Sequence, residues 1–248
     1  MIIINDSELN KYKLQNTNNR FKKIIYKETV NSTNDYILNC VKSKSEEIIL
    51  ISNEQTNGRG KGNRSFLSPK NKGIYMSIGL KMDKESSRLI FAITSVAIIK
   101  TLEFYNISAK IKWPNDININ GRKISGILVE SVCIPNQSEI FSAVGIGINL
   151  YNDESILKKL NGRASSIEKE CNKYIDKTRF ITHFLAYFEK LLTTQREKII
   201  SEYKKYLVKD KYQTLEFNNQ QIVCKIEGIT VSGIAYVRTK DAKLLYLY

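Results

Sequence analysis

The dipeptide Asn120-Gly121 is the feature that most restricts how this chain can fold. It lies between alternating apolar and polar residues of two predicted strands, Asp116–Ile119 and Arg122–Glu130. Asn-Gly in this setting is the strongest short-range signal for a two-residue β-hairpin turn. The predicted register pairs Ile119 with Arg122, Asn118 with Lys123, Ile117 with Ile124 and Asp116 with Ser125.

The two faces of this hairpin are predicted to differ in polarity, because opposed residues of an antiparallel pair share a face. The polar face holds Asp116, Asn118, Lys123 and Ser125, and the apolar face holds Ile117, Ile119 and Ile124. Most polar hairpin faces are simply solvated, but this strand continues as the apolar run Gly126–Glu130. A lysine on a buried strand can neutralise a phosphate or a carboxylate as a compact point charge.

A second feature is a glycine-rich basic loop between Gln55 and Ser68. Glycines alternate with cations in Gly58-Arg-Gly-Lys-Gly62, Arg64 follows, and the segment contains no acidic residue. Glycine lets the backbone turn successive N–H groups toward one point, and the cations add fixed positive charge. The loop therefore predicts a site for a phosphate or a carboxylate, tethered to the predicted buried strand Gly73–Leu80.

The segment Ala143–Leu150 predicts a strand with one nearly bare face. Val144, Ile146, Ile148 and Leu150 share the apolar face, and Ala143, Gly145, Gly147 and Asn149 share the other. A face without large side chains lets a ligand or another backbone approach closely. Close packing under a helix explains the glycines equally well, but Asn149 at the end of the strip favours a ligand.

Composition narrows the class of protein. With 248 residues the chain suits one large domain and a small satellite. No apolar run approaches the roughly 18–20 residues that span a bilayer, and signal-peptide features are missing, so we expect a cytoplasmic protein without a membrane role. Widely spaced cysteines and the single His183 argue against a zinc site. The net charge of +14 would suit a nucleic-acid-binding module, but the lysines are scattered and solvated surface charge explains them better.

The predicted elements indicate an α+β fold. Strands before residue 150 alternate with predicted helices at 30–38 and 88–105, and residues 177–206 have the spacing of one or two amphipathic helices. After Val208 the pattern changes to short strands. We predict a main domain over residues 1–207, with an irregular extension at 1–21, and a small β domain over residues 208–248.

Taken in order, these segments resemble the biotin–protein ligases. The motifs that carry the resemblance are Asn31-Ser-Thr-Asn34, Gln55-Thr-Asn-Gly-Arg-Gly-Lys61, Leu67-Ser-Pro69, Lys112-Trp-Pro-Asn-Asp116, Arg122-Lys-Ile-Ser-Gly-Ile-Leu-Val-Glu130 and Gly145-Ile-Gly-Ile-Asn149. The resemblance implies a mixed or antiparallel sheet flanked by helices, as in class II synthetases, and a small SH3-like C-terminal β domain. It also implies an AMP-forming ligase. Such an enzyme converts biotin and Mg-ATP to biotinyl-5′-adenylate and then transfers biotin to a carrier lysine.

The resemblance implies a role for each motif residue. Those that would bind biotin are Ser32, Thr33, Asn34, Gln55, Arg59, Gly60, Lys61, Lys123 and Gly126. Those that would bind the nucleotide are Arg59, Lys61, Arg64, Phe66, Asn115, Asp116, Lys123, Gly145, Gly147 and Asn149. Lys123 and Arg59 would be catalytic, since Lys123 bridges the biotin carboxylate and the α-phosphate in the family and positive charge stabilises the reaction. Asp116 would help to place Mg²⁺, whereas Ser32 has helix capping as a competing role.

Three positions depart from the family pattern. Lys61 stands where a second arginine is usual, Asn63 where a glycine is usual, and Phe66 where a tryptophan is usual. Because lysine cannot reproduce a bidentate guanidinium, we expect the adenylate to be retained less well. Phe66 should still stack on the nucleotide, with less area.

The implied partner is the biotin carboxyl carrier domain of a biotin-dependent carboxylase, and a homodimer is left open. Only about twenty residues precede the first predicted strand, Lys22–Tyr26, too few for a winged helix, so we expect no DNA binding and no repressor function. A lipoate–protein ligase, which shares the fold and the adenylate chemistry, is the alternative enzyme. A nucleic-acid-binding module is the alternative from a different class.

Overall fold

The structure is a computed structural model. It describes residues 20–21, 23–43, 47–62, 64–133, 138–151, 155–156, 164–209, 211–217 and 220–247. The predicted N-terminal extension therefore lies almost wholly outside the described residues, and so does Asn63. No helix within the described ranges is long and apolar enough to cross a membrane.

A seven-stranded sheet forms the centre of the fold. Its strands are β1 (Ile24–Val30), β2 (Ile48–Gln55), β3 (Gly73–Met82), β4 (Lys110–Lys112), β5 (Asp116–Ile119), β6 (Arg122–Cys133) and β7 (Ile140–Asn149). They lie in the order β1-β2-β3-β7-β6-β5-β4. The β1–β2 pair is parallel and the other pairs are antiparallel, which confirms the predicted mixed sheet.

Helices lie on both faces of this sheet. They are α1 (Thr33–Ser43), α2 (Lys84–Ser87), α3 (Ile90–Phe104), α4 (Ile167–Cys171), α5 (Lys177–Leu192) and α6 (Arg196–Tyr206). Most residues of α3 are buried, because it packs between α5, α6 and one face of the sheet in the main apolar core. Helix α1 covers part of the other face, where Ile37 packs with Leu50 and Phe141. The rest of that second face is available for a site.

The parallel pair brings two predicted motifs to one edge of the sheet. Val30, at the end of β1, lies opposite Gln55, at the end of β2. Helix α1 follows β1 almost at once, and the glycine-rich loop follows β2 directly. The start of α1 and the glycine-rich loop therefore meet at this edge, although the rest of α1 and β2 lie between them in the sequence.

The hairpin at Asn120-Gly121 forms as predicted, with positive φ at both residues. Ile119 pairs with Arg122 and Asn118 with Lys123 as expected, but the register then shifts at a β-bulge. The observed pairs beyond it are Ile117 with Ser125 and Asp116 with Gly126. The predicted pairs of Ile117 with Ile124 and of Asp116 with Ser125 were therefore wrong. Because Ile124 is an extra residue in β6, Ser125 lies on the apolar face, where it is buried.

A second, antiparallel sheet follows α6. Its strands are β8 (Gln213–Phe217), β9 (Gln220–Ile229), β10 (Ala235–Thr239) and β11 (Leu244–Leu247), in the order β11-β10-β9-β8. This confirms the short strands predicted after residue 208. Residues such as Ile226 and Val237 belong to the same apolar core as the large sheet. The predicted domain boundary at residue 208 stays a prediction.

Candidate functional site

A cavity lies on the same face of the sheet as α1, over the part that this helix does not cover. Strands β6 and β7 form its floor, and the start of α1 and the glycine-rich loop form its walls. The predicted site residues that line it are Ser32, Thr33, Asn34, Gln55, Arg59, Gly60, Lys61, Arg64, Phe66, Asn115, Lys123, Gly126, Gly145 and Gly147. The structure thus brings together residues that lie far apart in the sequence.

The floor of the cavity is smooth because it is made of glycine. A Cβ atom added to Gly145 would collide with the Asn34 side chain, and one added to Gly147 would collide with the ring of Phe66. Gly126 pairs with Gly147, and a Cβ atom there would lie 3.0 Å from the Lys123 ammonium. The bare face predicted for this strand therefore faces the cavity, and it lets Asn34 and Phe66 lie close to the sheet.

Protein side chains hold the start of α1 in place. The Ser32 hydroxyl accepts a hydrogen bond from the N–H of Asp35 at 3.4 Å, which is the helix cap that the sequence predicts. Thr33 donates to Gln55 Oε1 through its backbone N–H at 2.8 Å and its hydroxyl at 3.0 Å. Ser77 donates to Asn34 Oδ1 at 2.6 Å. The polar wall is thus fixed before any ligand contacts it.

Glu130 connects helix α1 to the glycine-rich loop. Its Oε2 atom accepts hydrogen bonds from Asn34 Nδ2 at 2.9 Å and from the Arg59 guanidinium at 2.5 Å. The same guanidinium nitrogen forms an ion pair with Asp35 at 2.6 Å. Arg59, which the sequence predicts to face an anionic ligand, is therefore balanced by two carboxylates in this structure.

Sequence reasoning missed Glu130 and Asp35 as partners of Arg59. Glu130 was recognised only as the last residue of its motif, and Asp35 directly follows the Asn31-Ser-Thr-Asn34 motif. Their positions directly beside recognised motif residues were the available signal. The other cavity residues that were not predicted are Ser65, Ile127, Leu128 and Ile146.

Lys123 lies on β6 with its side chain toward the cavity. Its ammonium is 2.6 Å from Asp116 Oδ1 and 5.9 Å from the centre of the Phe66 ring. The ion pair keeps Lys123 and Asp116 on one face, as the hairpin predicts. Asp116 is outside the residues that line the cavity, but it adjoins them through its ion pair with Lys123 and its strand pairing with Gly126.

Asn149, which was predicted to bind the nucleotide, lies at the end of β7 opposite Gly73. Its side chain is buried, and its Nδ2 atom donates to the carbonyl of Ser165 at 3.0 Å. Asn149 is likewise outside the lining residues of the cavity. The nucleotide contact of Asn149 stays a prediction, and the structure adds that its Nδ2 atom already has a backbone partner.

The outer wall of the cavity is cationic. The Lys61 ammonium lies 5.9 Å from the centre of the Trp113 ring, and Arg64 Nε donates to the Lys61 carbonyl at 2.9 Å. The N–H of Gly60 donates to the Arg64 carbonyl at 2.6 Å and holds the loop in a tight turn. Together with Arg59 and Lys123, these side chains give the cavity four cations. Such a wall can stabilise negative charge that two bound anions bring together.

The acidic residues near the cavity do not form a metal cage. In the described part of the chain, no group of three or more histidine, cysteine or acidic side chains could hold a metal ion. Asp116 offers one carboxylate beside the cavity. Mg²⁺ is usually held by one or two carboxylates together with substrate phosphates. Asp116 therefore fits a metal that arrives with a nucleotide.

The mixed sheet and this cavity are the features that the sequence predicts for a member of the biotin and lipoate ligase class. The chain belongs to the biotin/lipoate A/B protein ligase family, whose family model matches residues 26–149. It is 31% identical to the bifunctional ligase/repressor BirA of Bacillus subtilis over 173 residues, which is 67% of this chain and 53% of that protein. It is 27% identical to biotin–protein ligase 1, chloroplastic, of Arabidopsis thaliana over 245 residues, 91% of this chain and 65% of that protein. The chain thus spans about half the length of the Bacillus relative.

Solved structures share the fold. The biotin protein ligase from Aquifex aeolicus in complex with biotin and ATP matches with a TM-score of 0.73 at 22% identity, over 92% of this chain and 96% of that chain. The biotin protein ligase from Leishmania major in complex with biotinyl-5-AMP matches with a TM-score of 0.64 at 22% identity, over 92% of this chain and 99% of that chain. These matches confirm the predicted α+β architecture.

Proposed function

We propose that this protein is a biotin–protein ligase. It would activate biotin with ATP to biotinyl-5′-AMP and transfer the biotin to a lysine of a biotin carboxyl carrier domain. The observation that carries the proposal is the meeting of Ser32-Thr-Asn34, the glycine-rich loop and Lys123 around one cavity. Membership of the ligase family and similarity to proteins named for biotin support it.

The cavity suits a ligand with a polar ring at one end and an anion at the other. Asn34 lies over Gly145, whereas Phe66 lies over Gly147, two residues further along β7. Two strand residues span about 7 Å, so the amide wall and the Lys123 ammonium are separated along the floor. Biotin has a ureido ring that needs hydrogen-bonding partners and a carboxylate that needs a cation. Leu128, which pairs with Gly145, lines the same cavity and suits its aliphatic chain.

Adenylate formation needs charge stabilisation more than a side-chain nucleophile. A biotin carboxylate oxygen bonds to the α-phosphorus of ATP, and pyrophosphate leaves. Both reactants are anions, so Lys123, Arg59 and Arg64 would lower the barrier by stabilising the charge that they bring together. The Lys123 ammonium has three donors, so it can keep Asp116 and still bind a carboxylate and a phosphate oxygen. In the second step a carrier lysine amine attacks the acyl carbon and AMP leaves.

Mg²⁺ is part of the proposal as the companion of ATP. The phosphates of ATP would supply most of the metal ligands, and Asp116 is the nearby carboxylate. When bound, the ion would neutralise phosphate charge. A cytoplasmic location and the lack of a repressor function also belong to the proposal.

The decisive experiment is the exchange of labelled pyrophosphate into ATP by the whole chain. Exchange that depends on biotin and not on lipoate is expected. Exchange with lipoate alone would select a lipoate–protein ligase, the second candidate because one family model covers both enzymes. Exchange with neither acid would reject both enzymes and favour the nucleic-acid-binding alternative.

A further inference from the structure

We propose that a lysine-lined cleft beside the candidate site docks an acidic face of the acceptor protein. The inference rests on the proposed function, because it concerns the protein that receives biotin. The cleft lies between β4 and the segment that connects α6 to β8. Two aromatic residues and four lysines in its lining carry the argument: Trp113, Tyr212, Lys110, Lys112, Lys209 and Lys211.

The four lysines lie in two sequence segments almost a hundred residues apart, and the fold brings them together. Val208 donates its N–H to the Ile111 carbonyl at 2.9 Å, so the two sides of the cleft are fixed to each other. A charge that looks scattered along the sequence is therefore concentrated on one surface.

The positive charge of this cleft is poorly compensated by the side chains that the structure describes. All four lysines are exposed, and among the described residues none of them forms an ion pair. Lys225 and Lys240 extend the same surface, with ammonium groups 4.7 and 5.8 Å from the centre of the Tyr212 ring. The sequence supplies one carboxylate between Lys209 and Lys211, at Asp210. An excess of like charge on one face repels itself and attracts an acidic partner.

The cleft lies next to the candidate site. Trp113 lines the cleft, and its ring is 5.9 Å from the ammonium of Lys61, which lines the site cavity. A protein bound in the cleft would therefore contact the loop beside which the adenylate is proposed to form. A nucleic acid would match the charge equally well, but it has no lysine amine to receive the acyl group. The position of the cleft thus favours an acceptor protein with acidic residues around its target lysine.

Charge reversal of two cleft lysines tests the proposal. Lys110→Glu with Lys209→Glu changes the cleft, and Lys112 is left intact because it pairs across the strand with Asp116. Lys84→Glu with Lys198→Glu is the matched control, since both lysines are exposed and line neither cavity. The probe is an isolated biotin carboxyl carrier domain, and the measurements are pyrophosphate exchange without acceptor and the KM for the acceptor at low and high salt.

The cleft variant is expected to raise the acceptor KM by about fivefold or more at low salt, because charges at the rim of an interface act mainly on association. Salt should reduce the difference, since it screens exposed charges. Pyrophosphate exchange should be unchanged, and the control should behave as wild type. Thermal unfolding checks the fold, and the milder Lys110→Ala with Lys209→Ala should raise the KM by a smaller factor.

Two results would overturn the docking proposal while the proposed function stands. One is an acceptor KM within twofold of wild type and control for both cleft variants in the presence of normal exchange. The other is an unchanged KM together with lost binding of a fluorescent oligonucleotide, which would identify a nucleic-acid surface. Lack of exchange by the wild-type protein would instead reject the proposed function, and the docking proposal with it.

Discussion

Replacing Lys123 by alanine is expected to remove most adenylate formation and leave the protein folded. The Lys123 side chain is 32% exposed and its ion-pair partner is Asp116, so the loss of folding free energy should be at most about 1 kcal/mol. The effect on the reaction should be much larger. Removing one group that stabilises developing charge typically raises the barrier by about 2.7–4 kcal/mol, which is a loss of roughly 100- to 1000-fold in kcat.

The assay is biotin-dependent pyrophosphate exchange, with thermal unfolding as the check on folding. Arg122→Ala is the matched control, because Arg122 is the neighbouring residue and also has an ion-pair partner, Glu170 at 3.5 Å, but lies outside the cavity lining. It should exchange at close to the wild-type rate. The double variant Lys123→Ala with Asp116→Asn removes the carboxylate that the single variant leaves unpaired.

The double variant distinguishes two explanations for lost activity. If repulsion between unpaired Asp116 and ATP caused the loss, the double variant would recover. We expect it to stay inactive, because the reacting anions still lack the Lys123 ammonium. Exchange within about threefold of wild type by folded Lys123→Ala would refute the role of Lys123 in the reaction.

Three further changes test other parts of the molecule. Lys61→Arg should slow the release of biotinyl-adenylate, measured by rapid filtration, because a guanidinium can form a bidentate pair with a phosphate. Equal release rates for the variant and wild type would contradict this. Gly147→Ala should weaken nucleotide binding in titration calorimetry, because the new Cβ atom displaces the Phe66 ring, and unaltered affinity would speak against that contact. Lys177 is buried beside Asn53, and burial lowers its pKa to about 8. Between about pH 8 and 10.5 the unfolded chain therefore binds a proton that the folded chain does not. Over that interval the unfolding free energy of wild type, measured by urea denaturation, should rise by about 3 kcal/mol relative to that of Lys177→Met. The same pH dependence for both proteins would exclude this.

The hairpin shows which parts of the fold the sequence can predict. The turn and the first two residue pairs depend on the local backbone preferences of Asn120-Gly121, and they were predicted correctly. The bulge at Ile124 is different, because β6 must pair with β5 on one side and β7 on the other. The alternation of apolar and polar residues in the hairpin carries no information about the pairing of β6 with β7. For this reason Ser125 was assigned to the wrong face.

The sequence likewise predicts one part of the candidate site and not another. Motif order was enough to predict most residues that line the cavity, because each motif remains at the end of a strand or helix. The partners of those residues were not predictable in the same way. Glu130 is 71 positions from Arg59 in the sequence, so their contact depends on where β6 lies relative to the loop. The hydrogen bond of Asn149 could not be predicted for the same reason, since its partner Ser165 comes from a later segment.

The parallel pairing of β1 with β2 makes the site tolerant of some insertions and sensitive to others. An insertion after α1 would lengthen the crossover while Val30 still lies opposite Gln55, and each doubling of a loop costs only about 0.6 kcal/mol. One residue added within β2 would instead turn Gln55 to the opposite face of the sheet and remove its contacts with Thr33. The number of residues between the Ser-Thr-Asn motif and the glycine-rich loop can therefore change among relatives, whereas the alignment of the two strands cannot.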